Sequence, residues 1–111
     1  MALDYANVLK ALDVDFEVIG RGENSASAFT SAIEMNVSTG GIGFALKTRS
    51  APKIAIVAVG VEQLASVTTQ LIESGTRSIL LEKPGGLNAV EIRSLKDFSN
   101  SYKANVFIAY N

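Results

Sequence analysis

The sequence predicts a doubly wound α/β domain with a mostly parallel sheet, and three observations carry that expectation. Helix-like and strand-like apolar periods alternate from end to end of the 111 residues. The strand-like runs at 53–59 (KIAIVAV) and 77–82 (RSILLE) are separated by a helical period, so joining them needs a crossover, which makes them parallel neighbours. Apolar residues reach 48% against 19% charged, enough for a core and too apolar for a disordered tail. The length allows one domain at most.

The first element is a short helix over 3–12, because Tyr5, Val8, Leu9 and Leu12 recur at three- and four-residue spacing. Asp13-Val14-Asp15 breaks it. Residues 16–20 (FEVIG) read as a buried strand closed by Arg21-Gly22. Asn24 or Ser25 caps a second helix with Ala28, Phe29, Ala32 and Ile33 on one face. After Thr39-Gly40-Gly41, residues 42–46 read as a short strand weakened by Gly43. The run 53–59, apolar after Lys53, is rich in β-branched residues, which predicts a strand covered on both faces. A helix follows with Leu64, Val67, Leu71 and Ile72 inward, and Gly75 is its left-handed terminator. Residues 77–82 form the next strand. Asn88 with Glu91 makes a capping box for another helix, with Leu87 and Ile92 as a hydrophobic staple and Ile92, Leu95, Phe98 and Tyr102 as the buried stripe. Residues 105–110 (NVFIAY) close the chain as a strand.

The resulting order is α-β-α-β-β-α-β-α-β, with no repeat, linker or low-complexity tract. A doubly wound domain ordinarily opens on a strand and a glycine-rich turn, whereas this chain opens on a helix. Neither GxGxxG nor GxxxxGK[ST] occurs, and Gly40-Gly41-Ile42-Gly43 reads as a plain turn because a strand is expected after it.

Composition removes whole classes of chemistry. Ten Lys+Arg against eleven Asp+Glu leave a net charge of −1 with no block of one sign, which argues against nucleic acid or an anionic membrane as partner. Without cysteine there is no disulfide, thiolate nucleophile or Cys-ligated metal, and without histidine no imidazole acid–base scheme. Glu17, Glu23 and Glu34 are scattered and suggest no metal cluster. The apolar run 54–61 is far short of the roughly 20 residues that span a bilayer. The start Met1-Ala2-Leu3-Asp4 lacks the features of a secretory signal, so a cytoplasmic protein is expected.

Open α/β sheets bind ligands at the carboxyl ends of their strands. Those positions here are Arg21, Gly60, Glu82-Lys83-Pro84 and Tyr110-Asn111. Pro84 disfavours the helical region for Lys83 and keeps the lysine at the strand end. A partly desolvated lysine there exchanges a proton with a substrate hydroxyl. A solvated turn with an idle lysine is the competing reading, and the tripeptide alone favours it.

Context shifts that balance. The stretch KIAIVAVGVEQLASVTTQLIESGTRSILLEKPGGLNAVEIRSL, followed by VFIAYN, resembles the nucleotide-binding domain of the Gfo/Idh/MocA oxidoreductases, the relatives of glucose–fructose oxidoreductase and inositol dehydrogenase. The shared pattern is a strand, a helix ending in Gly, a strand ending in EKP, a helix, and a strand ending near Tyr-Asn. It covers about residues 53–111 well and 3–34 more loosely. The resemblance implies a Rossmann-like fold and NAD(P)-dependent oxidation or reduction of a sugar or polyol CH–OH group. It makes Lys83 the catalytic lysine that orients and polarises the reacting hydroxyl or carbonyl. Glu82 supports it and lines the nicotinamide side with Pro84, and Val59, Gly60 and Val61 pass close to the cofactor, Gly60 allowing near approach of the backbone. Arg21 suits the 2′-phosphate of NADP, with a slight lean to NADP over NAD; a solvated turn arginine is the alternative.

The departures from the family pattern are also informative. Its frequent Pro-Asn-x-x-His slots hold Gly60, Val61 and Leu64 here. The glycine fingerprint is missing, so the chain reads as an incomplete domain, 1–111, truncated at both ends and without the C-terminal substrate domain. Such a piece is expected to be inactive alone and to form a homo-oligomer through unpaired strand edges. The alternative is a non-catalytic binding or assembly module derived from the same domain. A receiver-like signalling domain fits poorly, because no aspartate ends a central strand.

Overall fold

The computed structural model describes residues 2–20, 30, 37–48 and 50–109. They fall into two compact units, Met1–Thr48 and Arg49–Asn111. Except for Thr30, which is helical, the expected second helix lies outside the described residues, as do Arg21, Tyr110 and Asn111.

In the first unit, α1 (Ala2–Ala11) carries Asp4 in its first turn and Lys10 in its last, each matched to the helix dipole. It ends in a Schellman arrangement: the Val14 N–H donates to the Leu9 carbonyl at 3.1 Å and Asp13 N–H to Lys10 at 3.1 Å, with Asp13 at φ 57°. Among the described side chains of this helix Ala6 is buried; Val8 and Leu12, expected inward, are exposed. The strand expected over 16–20 contracts to β1 (Val18–Ile19), which pairs in parallel with β2 (Val37–Ser38).

The next element corrects an expectation. Residues 42–46 are not a strand but part of α2 (Gly41–Thr48). Gly41 and Ala45, four residues apart, are its buried positions, a helical spacing that the short apolar run concealed. The glycine turn therefore leads into a helix and not into the expected strand. It still lacks the GxGxxG spacing. Gly40 stands at φ 98°, and a Cβ there would meet the Phe44 ring at 3.2 Å, so its bareness accommodates a side chain of the same helix.

The second unit holds a three-stranded sheet in the order β3 (Ile54–Val57), β4 (Ser78–Glu82), β5 (Asn105–Ala109), all parallel. Each crossover contains a helix, α3 (Leu64–Ser74) and α4 (Ala89–Ser101). Helix α3 packs on β3 and β4, and α4 packs on β5 and on α3. The register aligns Val57 with Leu81 and Leu81 with Ile108. With Ile79, Leu64, Leu71, Ile72 and Leu95, these residues form the core or its border.

The opposite sheet face departs from the sequence reading. Ile54 is 74% exposed and Phe107 61%, and β3 alternates exposed and half-buried positions before ending on buried Val57. A β-branched run states that a strand forms, but not that both its faces are covered. Two expected stripes also shift. Thr68, not Val67, is fully buried on α3. On α4 the buried pair is Leu95 and Ser99, whereas Tyr102 is 40% exposed and stacks on Phe98 with ring centroids 4.7 Å apart.

The hydroxyls of Thr68 and Thr76 are buried without a hydrogen-bond partner. An unsatisfied buried hydroxyl costs about 1–3 kcal/mol, and valine has nearly the same shape. Thr68→Val is therefore expected to raise stability by about 1 kcal/mol, read as a higher urea midpoint at unchanged slope. A loss of stability would show that the hydroxyl has a partner in solution. Among the described residues no helix is long and apolar enough to cross a membrane.

Candidate functional site

Parallel strands deliver their carboxyl ends to one margin of the sheet. Val57 lies opposite Leu81, and Glu82 opposite Ala109. The chain beyond β3, Ala58-Val59-Gly60, therefore leaves the sheet at the level of Glu82-Lys83-Pro84. Of the residues singled out in the sequence, Val59, Gly60, Glu82, Lys83 and Pro84 share this margin.

Each has a distinct setting. Val59 is 37% exposed and offers apolar surface, as does Val61 in the 3₁₀ turn Val61–Gln63 that opens α3. Gly60 has φ −57° and ψ 147°, a conformation open to any residue. A Cβ there would lie 2.6 Å from a Glu62 carboxylate oxygen. The space expected for close cofactor approach is thus occupied by the Glu62 side chain. That acidic group was not singled out in the sequence, and only its spacing from Gly60 hinted at it.

Glu82, the last residue of β4, is 8% exposed, whereas Lys83 is exposed. Lys83 and Pro84, joined by a cis peptide bond, form the centre of a turn closed by the Gly85 N–H donating to the Glu82 carbonyl at 3.1 Å. Gly85 takes φ 89°, and a Cβ on it would meet Ile108 Cδ1 at 2.8 Å. The turn is thereby seated on β5.

Behind the turn, Asn88 caps α4 by accepting from the Glu91 N–H at 2.9 Å. The Glu91 carboxylate accepts from the Leu87 N–H, also at 2.9 Å. This is the capping box read from the sequence, except that the carboxylate bonds one residue ahead of the cap. Leu87 itself is 56% exposed. The arrangement presents an ammonium group at a strand-end margin on a turn bonded at both ends. Such a group can donate hydrogen bonds to an oxygen and stabilise negative charge on it.

Among the described residues no group of three or more His, Cys, Asp or Glu forms a metal cluster. An open groove of about 250 Å³, lined by Lys10, Asp13, Val14, Asp15 and Phe16, belongs to the first unit and contains none of the residues above.

No family model and no curated protein matches this chain. Solved structures do. The WlbA dehydrogenase of Chromobacterium violaceum, in complex with NADH and UDP-GlcNAcA, superposes with TM-score 0.80 at 14% identity, covering 97% of this chain and 31% of that one. GenD2 from gentamicin A biosynthesis, in complex with NAD, gives TM-score 0.78 at 22% identity over 96% and 30%. Biliverdin reductase of Synechocystis sp. PCC 6803, in complex with biliverdin and NADP+, gives 0.69 at 14% over 93% and 32%. The chain thus spans about a third of the length of the structures it matches. At these identities the likeness shows the fold, which is the Rossmann-like α/β fold of these dehydrogenases.

Proposed function

We propose that the chain is part of the nucleotide-binding domain of an NAD(P)-dependent oxidoreductase of the Gfo/Idh/MocA kind, acting on a sugar or polyol CH–OH group. The observation that carries this reading is the Glu82-Lys83-Pro84 turn at the carboxyl margin of a parallel sheet, within a fold shared with NADH-, NAD- and NADP+-bound dehydrogenases. Fold alone does not fix a substrate, and the biliverdin complex among the matches shows how widely substrates vary on it. The sugar or polyol assignment rests on the EKP resemblance and the UDP-GlcNAcA complex.

The residues at the margin suit a nicotinamide better than a dinucleotide phosphate. Val59 and Val61 give half-exposed apolar surface for a ring, and Lys83 stands on the same margin. The Glu62 carboxylate beside Gly60 is unfavourable for an anion and must swing away from it. When bound, the nicotinamide supplies the hydride acceptor or donor. Lys83 donates a hydrogen bond to the substrate oxygen and holds or gives the proton there. Pro84 and Gly85 keep that amine at the strand end, and Glu82 supports it and lines the nicotinamide side. Arg21 favours NADP through its 2′-phosphate.

The expected result of calorimetric titration with NADH and NADPH is affinity in the millimolar range, about −4 kcal/mol. Turnover with a panel of sugars and polyols is expected to be marginal in this chain. Any turnover it has should fall about 10²- to 10⁴-fold in Lys83→Met, with little change in cofactor affinity. Turnover unchanged by that substitution removes Lys83 from the chemistry.

One observation favours the second reading, an assembly module. Among the described residues β1 and β3 each pair with a single strand, and β3 (IAIV) carries no charge to deter pairing. Self-association through these edges should appear in sedimentation at high concentration, and a monomer there excludes it.

A further inference from the structure

The Lys83 turn has one restraint that the sequence motif does not contain. The EKP tripeptide accounts for Glu82, Lys83 and Pro84, and the Gly85 N–H closes the turn on the Glu82 carbonyl. Beyond Gly85 the chain must still bend into α4. The Leu87 N–H lies ahead of the helix and donates to Glu91 Oε1 at 2.9 Å. The same oxygen would lie 2.9 Å from a Cβ on Gly86, so the carboxylate is lodged against the Gly86 backbone. The Glu91 N–H makes a separate bond, donating to the capping Asn88 Oδ1, which does not involve the carboxylate. The carboxylate thus spans from the third residue of α4 back across the segment that carries Lys83.

Resting on the functional reading above, we propose that Glu91 is a positioning residue for Lys83. Its carboxylate ties Leu87 and abuts Gly86, which fixes the far end of the turn and with it the place of the Lys83 amine. It touches neither substrate nor cofactor. A charged acceptor is the suitable group for this task, because a bond to a carboxylate is stronger than one between neutral partners.

Asn88 provides the control, since it caps the same helix without bonding Leu87. Three variants, Glu91→Ala, Glu91→Gln and Asn88→Ala, are compared with the unaltered chain by amide exchange across 83–88. The Lys83 amine is followed by NMR of the reductively methylated protein, with and without NADH. In Glu91→Ala the Leu87 amide should exchange about fivefold faster, the loss of one hydrogen bond worth about 1 kcal/mol. The methylated Lys83 signal should move, and its response to NADH should shrink. Glu91→Gln, which keeps an oxygen acceptor, should restore most of both. Asn88→Ala should lower thermal stability while leaving the Lys83 signal in place.

Equal effects of Glu91→Ala and Asn88→Ala on Lys83 would reduce Glu91 to a helix cap and overturn the proposal. So would a Leu87 amide unaffected by Glu91→Ala. If NADH moves no signal in the unaltered chain, the functional reading fails, while the contrast in exchange and in the ligand-free Lys83 signal still decides the role of Glu91.

Discussion

Replacing Leu81 by alanine should destabilise the chain by about 3–4 kcal/mol. Leu81 is fully buried on the middle strand, with Val57 and Ile108 as its register neighbours on either side. Helix α3, which packs on β3 and β4, presents Leu64, Leu71 and Ile72 from its buried positions. Parallel strands bonded on both sides cannot shift independently to fill the space, so most of the cavity should persist. Urea unfolding followed by circular dichroism measures the loss. Ile54→Ala provides the contrast on the other face of the same sheet: at 74% exposure it should cost under about 1 kcal/mol. If the two substitutions cost the same, the helix-covered face is not the core.

Gly85→Ala should cost about 2–3 kcal/mol, and for two separable reasons. At φ 89° a side chain meets the backbone penalty that glycine avoids, about 1–2 kcal/mol. Its Cβ would also stand 2.8 Å from Ile108 Cδ1, so either the turn lifts or the isoleucine leaves its place. Ile108→Val removes that δ carbon. The double variant Gly85→Ala/Ile108→Val should therefore lose about 1 kcal/mol less than the sum of the single losses. Strict additivity would mean that the turn does not rest on β5. Because the same turn carries Lys83, Gly85→Ala should also move the Lys83 resonances, which Ile108→Val alone should do only weakly.

The second half of the chain was legible because its signals agree at several levels. Ser74-Gly75 gives both the apolar period's end and the left-handed residue, at φ 121°. Asn88 and Glu91 provide a cap whose spacing is diagnostic. The helix ends at Asp13 and Lys103 also take positive φ, at 57° and 56°; Asp13-Val14-Asp15 marks the first as a break, whereas a lysine does not announce the second. Residues 42–46 read as a strand because a five-residue apolar run with one glycine fits either period until burial reveals the spacing of Gly41 and Ala45.

The site shows the same division. The strand-end grouping of Val59, Gly60 and Glu82-Lys83-Pro84 follows from strand boundaries and parallel register, both readable from apolar runs and crossovers. The Glu62 carboxylate against Gly60, the seat of Gly85 on Ile108 and the reach of Glu91 to Leu87 depend on side-chain directions, which no periodicity encodes. Exposure of Ile54 and Phe107 belongs to the same class, since it depends on what covers a face rather than on the strand that forms it.

The most direct measurement is a map of amide and side-chain resonances during titration with reduced nicotinamide mononucleotide, which probes the ring's site without the adenosine half. The account predicts weak, saturable shifts concentrated at Val59, Gly60, Val61 and 82–85, with an intermolecular contact between the nicotinamide ring and the Lys83 side chain. Saturable shifts confined to other surfaces, with that strand-end cluster silent, would contradict it.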